Sequence, residues 1–238
     1  MPESSEELDS QEPGASPELN ADASAERPKR RKKVPVKVDV TPFTLDLPLC
    51  SVPVDWTSIF GNDHPVELEV GSGKGLFLAN AGAAKPGTNF LGIELARKYA
   101  GYAAERVAKA KLGNVKVLAG DATLFLARYV PAQSLSVVHV YFPDPWWKKR
   151  HRKRRVFSES LVVDIERGLK PGGELSVVTD VEEYFGVICA LMSAHPRFEE
   201  LPLSEPKAPE HEHDYLTNFE RKYRLEGRPI YRKLYRFS

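Results

Sequence analysis

From about Val66 the chain alternates short apolar runs with amphipathic stretches, the pattern of strand and helix units in a parallel sheet. Val66–Val70 predicts a first strand, and Gly71-Ser72-Gly73-Lys74-Gly75 a tight turn into a helix that stops near Lys85-Pro86-Gly87. Asn89–Ile93 predicts a second strand ending at Glu94, followed by a helix over about Ala96–Ala110, rich in Ala, Lys, Arg and Glu and closed by Gly113-Asn114. Val115–Ala119 reads as a third strand, with Asp121 just beyond its end. After a short helix around Thr123–Arg128, Leu135–Tyr141 has the β-branched and apolar content of a buried central strand. Two prolines in Phe142-Pro143-Asp144-Pro145-Trp146-Trp147 force its exit loop out of the sheet. Ser158–Leu169 predicts a helix, Lys170-Pro171-Gly172-Gly173 a turn, and Glu174–Thr179 a fifth strand ending at Asp180. The expected fold is α/β, with a mostly parallel central sheet flanked by helices.

Length and composition add one boundary. With 238 residues, 42% hydrophobic and 28% charged, the chain can bury one sizeable core, and one domain is expected over residues 41–238. Residues 1–28 carry Glu3, Glu6, Glu7, Asp9, Glu12, Glu18, Asp22 and Glu26 against the single base Arg27, and hold no aromatic residue. Such a stretch buries too little apolar surface to offset its ordering entropy, so residues 1–40 are expected to be a disordered tail. The tail includes the run Lys29-Arg30-Arg31-Lys32-Lys33, which could touch a phosphate backbone or could simply be solvated. Neither a signal peptide nor an apolar stretch of roughly 18 residues is present, so a cytoplasmic protein off the membrane is expected. Cys50 and Cys189 stand apart with no Cys/His cluster, which argues against a zinc site and for two small buried hydrophobes.

The chemistry-bearing residues sit at the strand ends. In open α/β sheets ligands bind outside the carboxyl ends of the strands, so Glu69 to Gly75, Glu94, Asp121, Asp144 and Asp180 could line one crevice. The glycines of Glu69-Val70-Gly71-Ser72-Gly73-Lys74-Gly75 let backbone approach a ligand at the start of a helix. Glu94, at the end of the next strand, can accept from both hydroxyls of a ribose, which both adenosylmethionine and NAD would satisfy. Asp121 suits the exocyclic amine of an adenine, and Glu69 suits a ligand that carries positive charge. Each of these acids could instead be a solvated loop residue or a helix cap. The last glycine falls one place short of the Gly-x-Gly-x-x-Gly spacing, which weakens a nicotinamide-dependent oxidoreductase.

Tyr141-Phe142-Pro143-Asp144-Pro145-Trp146-Trp147 runs into Lys148-Lys149-Arg150-His151-Arg152-Lys153-Arg154-Arg155, joining a rigid turn and aromatic faces to seven cations. A cationic run cannot be buried without partners, and a phosphate-rich substrate would supply them, with aromatics available for a base. A second cluster comprises Arg221, Lys222, Arg224, Arg228, Arg232, Lys233 and Arg236, against Glu226 alone. Thr217-Asn218-Phe219-Glu220 precedes it; its hydroxyl, ring and carboxylate could read a base edge, with Glu220 accepting from a guanine's N1–H and amine, or could merely cap a helix.

These residues resemble the bacterial tRNA (guanine-N7)-methyltransferases over about Glu67 to Arg236. The motifs that carry the resemblance are Glu-Val-Gly-Ser-Gly-Lys-Gly, Gly-Ile-Glu, Gly-Asp-Ala, Tyr-Phe-Pro-Asp-Pro-Trp-Trp-Lys-Lys-Arg-His, Leu-Lys-Pro-Gly-Gly, Thr-Asp, Thr-Asn-Phe-Glu and Ile-Tyr-Arg, in that order. The resemblance implies a class I methyltransferase-like Rossmann fold, S-adenosyl-L-methionine as cofactor and a variable-loop guanine of tRNA as substrate, with no metal and a monomer or weak homodimer. It implies cofactor contacts at Glu69, Gly71, Gly73, Glu94, Asp121 and Asp144, a catalytic part for Asp144, and substrate contacts at Lys148, Asp180, Thr217, Asn218, Phe219 and Glu220. A methyltransferase acting on another RNA position, or an RNA-binding module with a vestigial cofactor pocket, are the alternatives.

Overall fold

The computed structural model describes residues 38–203 and 217–238; the acidic segment 1–28 and the basic run Lys29–Lys33 lie outside them. The described chain runs α1 (Trp56–Phe60), β1 (Val66–Val70), α2 (Leu76–Ala84), β2 (Asn89–Glu94), α3 (Arg97–Lys109), β3 (Val115–Ala119), α4 (Ala122–Arg128) and β4 (Leu135–Tyr141). A 3-10 segment, Lys149–Arg154, leads to α5 (Glu159–Gly168), β5 (Leu169–Thr179), α6 (Glu182–Met192), β6 (Phe198–Leu201), α7 (Asn218–Leu225) and β7 (Tyr231–Phe237). The strands form one sheet in the order β3-β2-β1-β4-β5-β7-β6. The first five pair in parallel, whereas β7 is antiparallel to both β5 and β6.

Helices cover both faces. Phe77 and Leu78 of α2 and Ala100, Ala103, Ala104 and Val107 of α3 pack on Phe90, Val115 and Val117. On the other face Phe125 of α4, Leu161 and Ile165 of α5 and Tyr184 and Ile188 of α6 pack on Leu68, Val138 and Val177. Alternate residues of a strand point to opposite faces, so Glu67 and Glu69, flanking Leu68, lie under α2 and α3.

Three expectations need correction. The sheet has seven strands among the described residues, not five, because Tyr-Arg-Lys-Leu-Tyr-Arg-Phe of β7 mixes aromatic and aliphatic positions with three cations and reads as a charge cluster until it is paired. Lys170–Gly173 is not a free turn: β5 starts at Leu169, which pairs with Leu135, and the exposed Lys-Pro-Gly with the buried Gly173 forms an irregularity in the ladder before Glu174 pairs with Val137. Cys50 and Cys189 are unpaired but only half-buried, so neither is the fully buried hydrophobe expected. Among the described residues no helix is long and apolar enough to cross a membrane.

Candidate active site

The sheet order places the five strand-end acids side by side. Asp121, Asp144 and Asp180 follow β3, β4 and β5, while Glu94 is the last residue of β2 and Glu69 the last but one of β1; at roughly 4.8 Å per strand the five strand ends span roughly 19 Å. The chain turns outward in opposite directions from β1 and β4, so the crevice at their carboxyl ends lies between the glycine turn and the Pro-Asp-Pro loop.

The two glutamates of β1 differ in their company. Glu67 is buried with both oxygens engaged, Oε1 by Lys85 Nζ at 3.0 Å and Oε2 by His139 Nε2 at 2.8 Å. Burial pushes the Glu67 carboxyl up, but His139 and Lys85 outweigh it and hold it below its ordinary value. Burial pushes the His139 imidazole down, with Glu67 pulling the other way, and the network continues from His139 Nδ1 to the Tyr141 hydroxyl at 2.7 Å. Sequence reasoning missed this network, because nothing in a Val-Glu-Leu-Glu-Val run says that both acids are covered. Glu69, two residues on, is only 3% exposed, yet its Oε2 has no hydrogen-bond partner. Burial, and then the charge of Glu94, push its carboxyl well above the ordinary value. A buried acceptor left bare costs free energy, and a cationic ligand would supply the missing partner.

The glycine turn fits the same ligand. Gly71 and Gly73 take left-handed φ angles of 78° and 54°, and a Cβ on either would point into open space. Those cradles match a group lying against the backbone. Ser72 between them keeps a buried hydroxyl without a partner. Glu94 is oriented from behind, Oε2 accepting from Gly73 N–H and Oε1 from Ala96 N–H, each at 2.8 Å, which leaves further lone pairs on both oxygens for hydroxyls. Asp121 does cap α4: its Oδ1 accepts from the N–H groups of Thr123 and Leu124 and from the Thr123 hydroxyl, while Oδ2 takes none of these. Capping and ligand contact are therefore compatible at this residue.

Across the crevice, the loop after β4 is strained and anchored. Phe142 and Trp146 adopt φ of 50° and 45°, which bulky residues rarely do. Arg155 holds the loop by donating Nε–H to the Pro145 carbonyl at 2.7 Å and laying its guanidinium 4.6 Å from the Tyr184 ring centre. Its side chain is only 9% exposed, so this last of the seven cations is structural rather than a phosphate contact. Asp144, between the two prolines, is exposed, as are Trp147 and Lys148.

The C-terminal residues are reorganised most. Thr217 caps α7, its hydroxyl accepting from Glu220 N–H at 3.0 Å. Glu220 is buried, and its Oε1 accepts from Arg224 and Arg232. Asn218 and Phe219 face outward, and Phe219 joins Phe142 and Tyr223 in a cluster with ring centres about 6 Å apart. Asp180 pairs with Arg228, Lys233 with Glu200 and Arg236 with Glu174. The basic cluster thus faces acids brought from β5, β6 and α7, which corrects the expectation of Glu226 as its single acidic neighbour.

The fold is that of the class I methyltransferases. The 16S rRNA methyltransferase KamB matches with a TM-score of 0.56 at 16% identity, over 77% of this chain and 92% of that one. The precorrin-6y C5,15-methyltransferase from Geobacter metallireducens matches at 0.51 and 14%, over 74% and 81%. A family model described as "Putative methyltransferase" covers residues 63–233. The tRNA (guanine-N(7)-)-methyltransferase of Rhodopirellula baltica is 48% identical over 75% of this chain and 68% of its own. That of Streptococcus mutans is 33% identical over 89% and 100%. The chain belongs to the tRNA (guanine-N7)-methyltransferase family.

Proposed function

We propose that this protein transfers a methyl group from S-adenosylmethionine to N7 of a guanine in tRNA. The observation that carries the reading is Glu69, a buried carboxylate with a bare oxygen on the strand that runs into the glycine turn. S-adenosylmethionine, when bound, supplies a methyl group on a positively charged sulfonium. Glu69 holds positive charge, Gly71 and Gly73 admit the cofactor against the backbone, Glu94 accepts ribose hydroxyls and Asp121 offers its second oxygen to the adenine.

Guanine N7 is a lone-pair nucleophile that carries no proton, so its methylation needs no general base. Asp144 instead orients cofactor and base and supplies negative potential where both carry positive charge, the main gain being one of positioning. Lys148 and the exposed cations that follow it take backbone phosphates. Asp180, Asn218 and Phe219 form the wall on which the base is received, with Thr217 and Glu220 holding α7 in place behind it.

The test is incubation with labelled S-adenosylmethionine and unmodified bulk tRNA, followed by nucleoside analysis. The expected product is 7-methylguanosine, abolished by Asp144→Ala. Label in another nucleoside moves the substrate assignment within RNA, and cofactor binding without transfer favours an RNA-binding module.

A further inference from the structure

The sequence reading offers Glu220 as the acid that grips a guanine, but that carboxylate is buried between Arg224 and Arg232. Asp180 is placed differently. Its Oδ2 accepts from the Arg228 guanidinium at 2.5 Å, and the same guanidinium lies over Tyr223, its Cζ 4.0 Å from the ring centre. The Arg228 main-chain N–H donates to the Tyr223 carbonyl at 2.9 Å, so the side chain folds back over the end of α7. Tyr223 stacks at 25° on Phe219 and contacts Phe142, the residue from which the chain enters Pro143-Asp144. A planar group therefore presents N–H donors in its plane to a carboxylate while an aromatic ring covers its face.

Guanine presents the same chemistry, with N1–H and the exocyclic amine side by side on its Watson–Crick edge and a face that stacks on aromatic rings. We propose that Arg228 stands, in the RNA-free protein, in the subsite of the target guanine, with Asp180 the acceptor for the base's N1–H and amine and Tyr223 the ring on which it stacks. The inference rests on the guanine-N7 reading above and names the residues that recognise the base.

Three considerations support it. N7 lies on the opposite edge of the purine from N1 and the amine, so a base gripped by Asp180 turns N7 away from β5. Next to β5 is β4, whose exit loop carries Asp144, and beyond it β1, which carries Glu69. Adenine is rejected, because its N1 is an acceptor and would meet the carboxylate lone pairs. Arg228 can be displaced from its outer side, since its side chain is 42% exposed although the Asp180 side chain beneath it is only 10% exposed, and tRNA brings phosphates that can take the freed guanidinium.

The test uses the full-length protein saturated with S-adenosylhomocysteine, so that nucleosides cannot enter the cofactor site, and measures guanosine and adenosine binding by saturation-transfer NMR. A subsite blocked part of the time shows a weaker apparent affinity in proportion to its open fraction. Arg228→Met is therefore expected to bind guanosine roughly threefold to tenfold more tightly than wild type, with no gain for adenosine, and Asp180→Asn in the same background is expected to abolish the gain. Unchanged or weaker guanosine binding by Arg228→Met, an equal gain for adenosine, or a gain that survives Asp180→Asn overturns the proposal. Wild-type protein that makes 7-methylguanosine on tRNA while Arg228→Met gains nothing for guanosine overturns the subsite and leaves the function standing. Absence of 7-methylguanosine overturns both.

Discussion

At the β1 end of the crevice, Glu69 and Ser72 keep buried oxygens without partners, and the glycine turn leaves open space beside Gly71 and Gly73. At the β5–α7 end, Asp180 and Glu220 are closed off by arginines of their own chain, and Thr217 is spent on a helix cap. The ligands differ in the same way. A small cofactor with a fixed positive charge can be met by a bare, buried carboxylate that discriminates strongly for it, at a cost in stability when the site is empty. A polyanion carries phosphates that can take over displaced arginines, so its site can be satisfied internally and exchange partners on binding.

The largest expected effect falls where the two halves meet. Asp144→Asn should lower single-turnover methyl transfer on the order of 10²-fold to 10³-fold, as loss of a preorganised electrostatic group does. The rate should stay flat with pH around neutrality in wild type and variant alike. A limb in the wild-type profile that vanishes in the variant would make Asp144 a titrating base and break the account.

Glu69→Gln sharpens the contrast from the cofactor side. Cofactor affinity, read by calorimetry, should fall about tenfold or more, since a hydrogen bond to a charged group is removed. The ligand-free variant should be more stable than wild type at neutral pH. Burial raises the folded-state pKa of Glu69, so the folded wild type binds more protons than the unfolded chain above the ordinary carboxylate value. Its stability is thus undiminished at acid pH and falls as pH rises towards the raised pKa. A melting-temperature difference that grows from about pH 4.5 upward is expected; one that shrinks would show that Glu69 has a cationic partner in the ligand-free protein.

Thr217→Ala is the smallest effect and tests the RNA side. Loss of the α7 cap should cost about 1 kcal/mol, seen as a melting shift of about 2–4 °C, with Thr217→Ser restoring it. A rise in KM for tRNA beyond about tenfold without a melting shift would make Thr217 a base contact rather than a cap.

Local grammar accounts for much of what was legible. The glycine turn, the two prolines around Asp144 and the alternation of five strands with helices from Val66 to Thr179 are short-range signals, because backbone freedom and side-chain period act over a few residues. They placed Glu69, Glu94, Asp121, Asp144 and Asp180 at strand ends, and hence on one edge. The partner of each acid was not legible. Glu67 and Glu69 occupy equivalent places in Val-Glu-Leu-Glu-Val, yet one meets His139 from β4 and Lys85 from the end of α2 and the other keeps Oε2 without a partner. Arg155 ends a run of cations that looks solvated, and only the fold turns it inward to the Pro145 carbonyl. Arg228 and Asp180 lie 48 residues apart and meet because β7 returns antiparallel along β5. Charge pairing and desolvation act through space, so an acid's state depends on residues that sequence spacing does not bring near it, and closure of the sheet determines which acids keep a free oxygen and which are paired within the chain.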